Sequence, residues 1–167
     1  YDEAYKWNMR SHNKGSIQGT FQLAICYYFG RGVERNFTEA AILFQIGVTA
    51  NHTSSMLHLG RMYYDGLIGR PDEKKVFAFQ LFLRSAELGN VSAMRTVGEC
   101  YEVAEGVEVN HDEAFKWFTK ATNSGPNNLS KKIALFSLAR CYRDEIGVKK
   151  DIVMALKLYR KAYIDKY

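Results

Sequence analysis

The side chains in this sequence best equipped for chemistry are three cysteines, Cys26, Cys100 and Cys141, and four histidines, His12, His52, His58 and His111. Thiolate and imidazole bind zinc or act as nucleophile and base only when the chain brings several of them together at ligand or dyad spacing. The histidines share no such spacing with one another or with the cysteines, so no metal site is expected. There is no Gly-rich phosphate loop, nucleophile elbow or paired-carboxylate motif, and Gly30-Arg31-Gly32 reads as a turn rather than a nucleotide cradle. The expectation is a chain that is not an enzyme, with no catalytic residue and no cofactor.

The 167 residues are 47% hydrophobic and 25% charged with only two prolines, which excludes a disordered tail, a linker and a collagen-like chain. No apolar run approaches the roughly 18–20 residues that cross a bilayer; the best, Ala40 to Phe44, stops at Gln45. The net charge of +5 is spread in short basic pairs such as Lys74-Lys75, Lys131-Lys132 and Lys149-Lys150, all near expected loops. That pattern describes a solvated surface, so nucleic acid is not an expected partner. The sequence opens on Tyr1 rather than Met, which leaves room for a signal peptide or domain upstream.

What positions these residues is a repeat. Asp2-Glu3-Ala4-Tyr5-Lys6-Trp7 returns as Asp112-Glu113-Ala114-Phe115-Lys116-Trp117, and a Tyr recurs at 27, 63, 101 and 142. An Ala follows each Tyr after 13, 15, 13 and 13 residues, at 40, 78, 114 and 155. Before each Tyr, small and large apolar residues alternate at helical spacing: Gly19, Ser55, Ala93 and Ala134 eight back, Leu23, Leu59, Val97 and Leu138 four back, and Ala24, Gly60, Gly98 and Ala139 three back. Offsets of three and four share one helix face, so each Tyr ends an inner helix sandwiched between neighbours. A second, outer helix starts near Asn36, Asp72, Asn110 and Asp151, all good N-caps, and Asn36 and Asn110 have Glu39 and Glu113 three residues on, as in a capping box. Gly32, Gly69, Gly106 and Gly147 mark the intervening turn, where a positive φ is expected. Helix pairs of this size bury both faces only by stacking, which predicts an all-α chain, an α-solenoid of antiparallel pairs. The expected organisation is one array over 1–167: a half repeat at 1–15, then 16–51, 52–89, 90–125 and 126–167, cut from a longer protein.

These residues resemble the Sel-one-like repeats, relatives of the tetratricopeptide repeat. The resemblance runs through Leu23-Ala24, Tyr27, Gly30, Gly32-Val33, Asn36, Ala40 and Leu43-Phe44, and recurs through Leu59-Gly60, Val97-Gly98 and Leu138-Ala139 to cover nearly the whole chain. Ala104 and Glu145 depart from it where a turn glycine is usual, as does the insertion after Gly125. The resemblance implies a scaffold that holds a partner protein or peptide in a concave groove lined by inner helices. The alternatives it leaves are a luminal adaptor of an endoplasmic-reticulum quality-control complex and a purely structural spacer.

The register predicts which residues face that groove. At six before, two before and one after the Tyr lie Phe21, Leu57, Arg95 and Phe136, then Ile25, Arg61, Glu99 and Arg140, then Tyr28, Tyr64, Glu102 and Arg143. The expected partner surface is Phe21, Ile25, Tyr28, Phe29, Arg61, Tyr64 and Arg95, with Arg140 and Arg143, because aromatic side chains and arginines supply most interface energy. An inner helix upstream of Tyr1 is the alternative cover for the apolar end of this patch. The three cysteines hold one register position in different units; helix spacing of about 8–10 Å exceeds the roughly 7 Å Cα limit for a disulfide, so they are expected to be buried thiols. A cysteine-rich secreted branch of the resembling family pairs two cysteines per repeat, which this chain does not offer. Asn-x-Ser/Thr occurs at Asn36, Asn51, Asn90 and Asn128, against about one expected by chance from composition. Two of these have structural reasons, as caps, and the expected location is cytoplasmic, with a lumen or secretion as the alternative.

Overall fold

A computed structural model of the chain describes residues 1–69, 74–125 and 129–164. The expected Asp72 cap, the end of the Gly66–Pro71 loop, the Asn128 sequon and the last three residues of the chain lie outside them. Among the described residues all regular structure is helical: α1 Asp2–Asn13, α2 Ile17–Phe29, α3 Phe37–Thr49, α4 Thr53–Tyr64, α5 Lys74–Glu87, α6 Val91–Val103, α7 His111–Asn123, α8 Leu129–Asp144 and α9 Ile152–Ile164. The inner helices are α2, α4, α6 and α8. The chain forms two compact units, Tyr1–Arg84 and Ser85–Tyr167.

In the first unit, Leu23, Ala24, Ala40, Phe44, Met56, Leu59 and Met62 form one buried cluster across α2, α3 and α4. In the second, Ala114, Phe118, Leu138 and Cys141 do the same across α7 and α8. The register that predicts these positions is followed closely. The four anchor alanines are at most 2% exposed, and the small residues at positions 24, 60, 98 and 139 are buried. Their smallness has a steric cause. A Cβ on Gly60 would lie 2.5 Å from Phe82 Cε1, and one on Gly98 would lie 2.6 Å from Phe118 Cε1. Each glycine therefore seats the aromatic ring of its own outer helix. A second close approach joins an outer helix to the following inner one: Gly47 of α3 meets the Ser55 side chain of α4, and Gly19 of α2 meets Ser11 of α1.

The helix ends are held by a hydrogen-bond pattern that repeats. The backbone N–H of Asn36, Asn110 and Asp151 donates to the carbonyl of the anchor Tyr27, Tyr101 and Tyr142, each at 2.9 Å. Their side chains accept the first-turn N–H of Glu39, Glu113 and Met154 at 2.8–3.1 Å. The N-cap expectation holds at all three, but the capping box closes on one side only. The cap N–H that Glu39 or Glu113 would have accepted from is already given to the tyrosine carbonyl, and Glu113 pairs with Lys116 instead. Ser16, His52 and Asn90 cap the inner helices α2, α4 and α6 through their side chains. Asn36 and Asn90 of the sequons are thus both caps, and Asn51 sits in a turn at φ 57°.

Gly32, Gly69, Gly106 and Gly147 all have positive φ, as expected. At two of them backbone also comes close: a Cβ on Gly32 would meet the Tyr1 carbonyl at 2.6 Å, and one on Gly147 would strike the His111 carbonyl. The loop of one repeat thereby rests on the first turn of the preceding outer helix. The inner helices end on a second left-handed residue, filled by Gly30 and Gly66 but also by Ala104 (φ 62°) and Glu145 (φ 63°). A side chain there costs roughly 1–2 kcal/mol.

One junction is built from rings. Phe21 of α2 lies 5.9 Å from Phe44, 5.0 Å from His52 and 5.3 Å from His58, and His58 lies 5.4 Å from Phe44. The Nδ1 of His52 accepts the Ser55 N–H as the cap of α4, which requires the unprotonated nitrogen. His58 Nδ1–H donates to the Ser54 carbonyl at 2.9 Å. Burial lowers the pKa of both imidazoles, and for His58 the nearby Arg61 and His52 charges lower it further.

Two stability predictions follow from these features. Ala104→Gly and Glu145→Gly should each raise stability by about 0.5–1 kcal/mol in urea melts, whereas Gly147→Ala should lower it by about 2 kcal/mol or more. The fold favours neutral His52 and His58, so their contribution is complete above the ordinary pKa of about 6.5 and is lost as pH falls below it. The urea midpoint should drop between pH 7.5 and pH 5.5, and His52→Asn, which retains a cap acceptor without titrating, should reduce that drop.

Candidate functional site

The residues predicted to face a partner divide between the two units. In the first unit the six-before position is not open. Leu57 is 5% exposed, and Phe21 is half-buried in the ring junction with Phe44, His52 and His58. Ile25 is likewise half-buried, packed on the core of that unit. These three are corrections to a surface expectation: the histidines at 52 and 58 pack on Phe21, Ile25 packs on the core cluster, and Leu57 is itself part of the core.

The outer part of the patch remains accessible. Tyr28 is half-buried between Phe29 (ring centroids 4.8 Å) and Phe37 (5.6 Å). Phe29 is 53% exposed, and the Arg31 guanidinium lies 4.6 Å from its ring centroid. Arg61 and Tyr64, at the end of α4, are both exposed.

In the second unit every predicted arginine is paired. Arg95 forms an ion pair with Glu99 one turn on, Arg140 of α8 meets Glu102 of α6 at 2.6 Å, and Arg143 chelates Asp144 through Nε and a terminal nitrogen, both at 2.7 Å. The hydrogen bonds from Arg143 hold the Asp144 carboxyl below its ordinary pKa. Arg140 and Arg143 stand over an open cleft of ≈ 310 Å³ whose other walls are Glu99, Ile133, Phe136, Ser137 and Tyr159. Phe136, 45% exposed, is tilted against Tyr159 at 5.7 Å. The register placed Phe136 on this face; Tyr159, on an outer helix, was missed because it reaches the cleft only through the packing of α9 on α8.

Cys26, Cys100 and Cys141 are free and at most 5% exposed, as the register predicts. Burial pushes the thiols of Cys100 and Cys141 up to about 12, so neither is a thiolate at neutral pH. Among the described residues no three of His, Cys, Asp and Glu come together as a metal-ligand group, and no helix is long and apolar enough to cross a membrane.

The sequence matches the Sel1 repeat over residues 17–52, 53–90, 91–126 and 132–164. It is 40% identical over 57 residues to Protein SHC1 of Saccharomyces cerevisiae, covering 34% of this chain and 11% of that protein. It is 26% identical over 152 residues to chitin synthase regulatory factor 2 of Schizosaccharomyces pombe, covering 87% of this chain and 28% of that one. The chain thus spans well under a third of the length of these curated relatives. The crystal structure of a Sel1 repeat protein from Oxalobacter formigenes superposes with a TM-score of 0.84 at 23% identity, over 99% of this chain and 63% of the other, a likeness of fold. With four matched repeats covering most of its length, this chain belongs to the Sel1 repeat family and has its α-solenoid fold.

Proposed function

We propose that this chain is an interaction scaffold that holds a segment of a partner protein on its inner-helix face. Sel1 repeats generally mediate protein–protein interaction, and Sel1 scaffolds are typically non-catalytic. The observation that supports a particular place is the cleft over Phe136 and Tyr159 under Arg140 and Arg143. Its floor offers aromatic surface for an apolar anchor. Its arginines are already held by Glu102 and Asp144, so less side-chain freedom is lost when a partner docks. Arg143 uses two of its five N–H donors on Asp144 and keeps the others for a partner carbonyl or carboxylate. In the first unit, Tyr28, Phe29, Arg61 and Tyr64 supply the same chemistry in exposed or half-exposed form.

The test is selection of phage-displayed random peptides on the immobilised chain, followed by titration of the enriched sequences. Peptides bound at the cleft should lose about tenfold in affinity, roughly 1.4 kcal/mol, with Phe136→Ala or Arg140→Ala. Those held in the first unit should respond in the same way to Tyr28→Ala with Arg61→Ala. If no enriched peptide responds to either set, the inner face is not the binding surface and the array is a spacer on that side.

A further inference from the structure

The opposite, outer face of the first unit departs from the pattern of a solvated helix. Beyond its first turn, which carries Thr38 and Glu39, the positions of α3 that face away from the core are Ile42, Gln45, Ile46 and Thr49, all exposed and uncharged, with Ile42 52% and Ile46 39% exposed. The corresponding positions carry Lys116 and Lys120 in α7, and Lys157, Arg160 and Lys161 in α9. On α5, Val76 and Phe77 are 48% and 45% exposed. Exposed apolar side chains thus recur on both helices of this face, and apolar surface that gathers in one place is the kind that marks an interaction site.

The surface is also shaped. A groove of ≈ 380 Å³ runs between α3 and α5, walled by Gln45, Val48, Phe77, Gln80, Leu81 and Arg84 and floored by the anchor Tyr63. Its origin is a single register position. The residue after the anchor alanine is Tyr5 in α1 and Phe115 in α7, and each packs edge-on against the next anchor, Tyr27 at 6.0 Å and Tyr142 at 5.5 Å. In α3 that residue is Ala41, too small to fill the space. Tyr63 stacks instead on Phe77 of α5, at 5.8 Å and 33°, and the room left beside it is the groove.

We propose that this outer groove binds an amphipathic helix of a partner protein, with apolar side chains in the groove and acidic side chains along its rim. This goes beyond the inner-face reading and does not depend on it. Two adjacent helices make a trough that fits the ridge of a third, anchored at i, i+4 and i+7. The acidic requirement comes from the lining. Among the described residues that line the groove, Arg84 is the one charged group and none is a carboxylate. The same charge disfavours a second copy of this chain as the occupant, because a two-fold pairing on this face would bring the Arg84 side chains of the two copies toward each other.

The experiment uses a phage-displayed library of helix-forming peptides selected on the whole chain, with size-exclusion light scattering of the chain alone. Enriched peptides should carry apolar residues at i, i+4 and i+7 flanked by Asp or Glu, and should weaken with added salt. Gln45 is exposed at the lip, so it accepts charge without disturbing the core. Gln45→Glu should weaken binding about tenfold and Gln45→Lys should tighten it, while the inner-face variants Phe136→Ala and Arg140→Ala leave it unchanged. Failure to enrich, enrichment of neutral or basic peptides, or indifference to the Gln45 pair would each overturn the proposal without touching the inner-face reading. A concentration-dependent dimer abolished by Ile46→Asp, with circular dichroism confirming the fold, would assign the groove to a second copy and overturn it as well.

Discussion

The close approach of backbone to aromatic ring at Gly60 and Gly98 is the contact on which the rest of each unit depends. Neither glycine has room for a Cβ, because Phe82 and Phe118 occupy the space. Once the rings are seated there, the inner and outer helices of a pair have one spacing and one rotation. The anchor alanines then meet the inner helix without a gap, and the loop between the helices must span a fixed distance. The tyrosine carbonyl that takes the cap N–H of the outer helix closes that loop at the same length in three repeats. Packing density and hydrogen bonding therefore specify the same geometry, which is how a short helix pair acquires a unique conformation.

Variation is confined to positions that this framework does not need. Where the residue after the anchor alanine is aromatic, the next tyrosine is covered; where it is Ala41, a groove opens and the ring finds Phe77. In the second unit, Arg95, Arg140 and Arg143 of the inner-helix face each have a carboxylate on the same or a neighbouring helix. The two surfaces that result differ in kind. The inner cleft of the second unit combines rings with prearranged charge, and the outer groove of the first sets Val48, Phe77 and Leu81 beside Arg84.

Much of the framework was legible in the sequence because steric demands act on residue type directly. A buried alanine with at most 2% exposure, a glycine at positive φ beside a carbonyl, and an asparagine capping a helix each leave few alternatives, so they recur in register. Less was legible at the sites. The sequence placed Phe21 and Ile25 on an open face, but α4 and its two histidines close over Phe21. It suggested reciprocal capping boxes, but the cap N–H had a better partner in the tyrosine carbonyl. Ala104 and Glu145 adopt the left-handed conformation without being glycine, since the surrounding hydrogen bonds from Glu105 and Ile146 hold the helix ends in place.

The sequence by itself determined the repeat, its helical register, the buried anchors, the caps and the turn glycines, because each is set by local sterics or by a periodicity that one chain displays. Tertiary structure decided which register-equivalent residues are covered and which are open, as with Phe21 against Phe136, and whether an arginine is offered alone or with a carboxylate beside it. It also decided that a single alanine at position 41 opens a groove. Those outcomes depend on what the neighbouring helix places opposite a side chain, and residue type at one position does not carry that information.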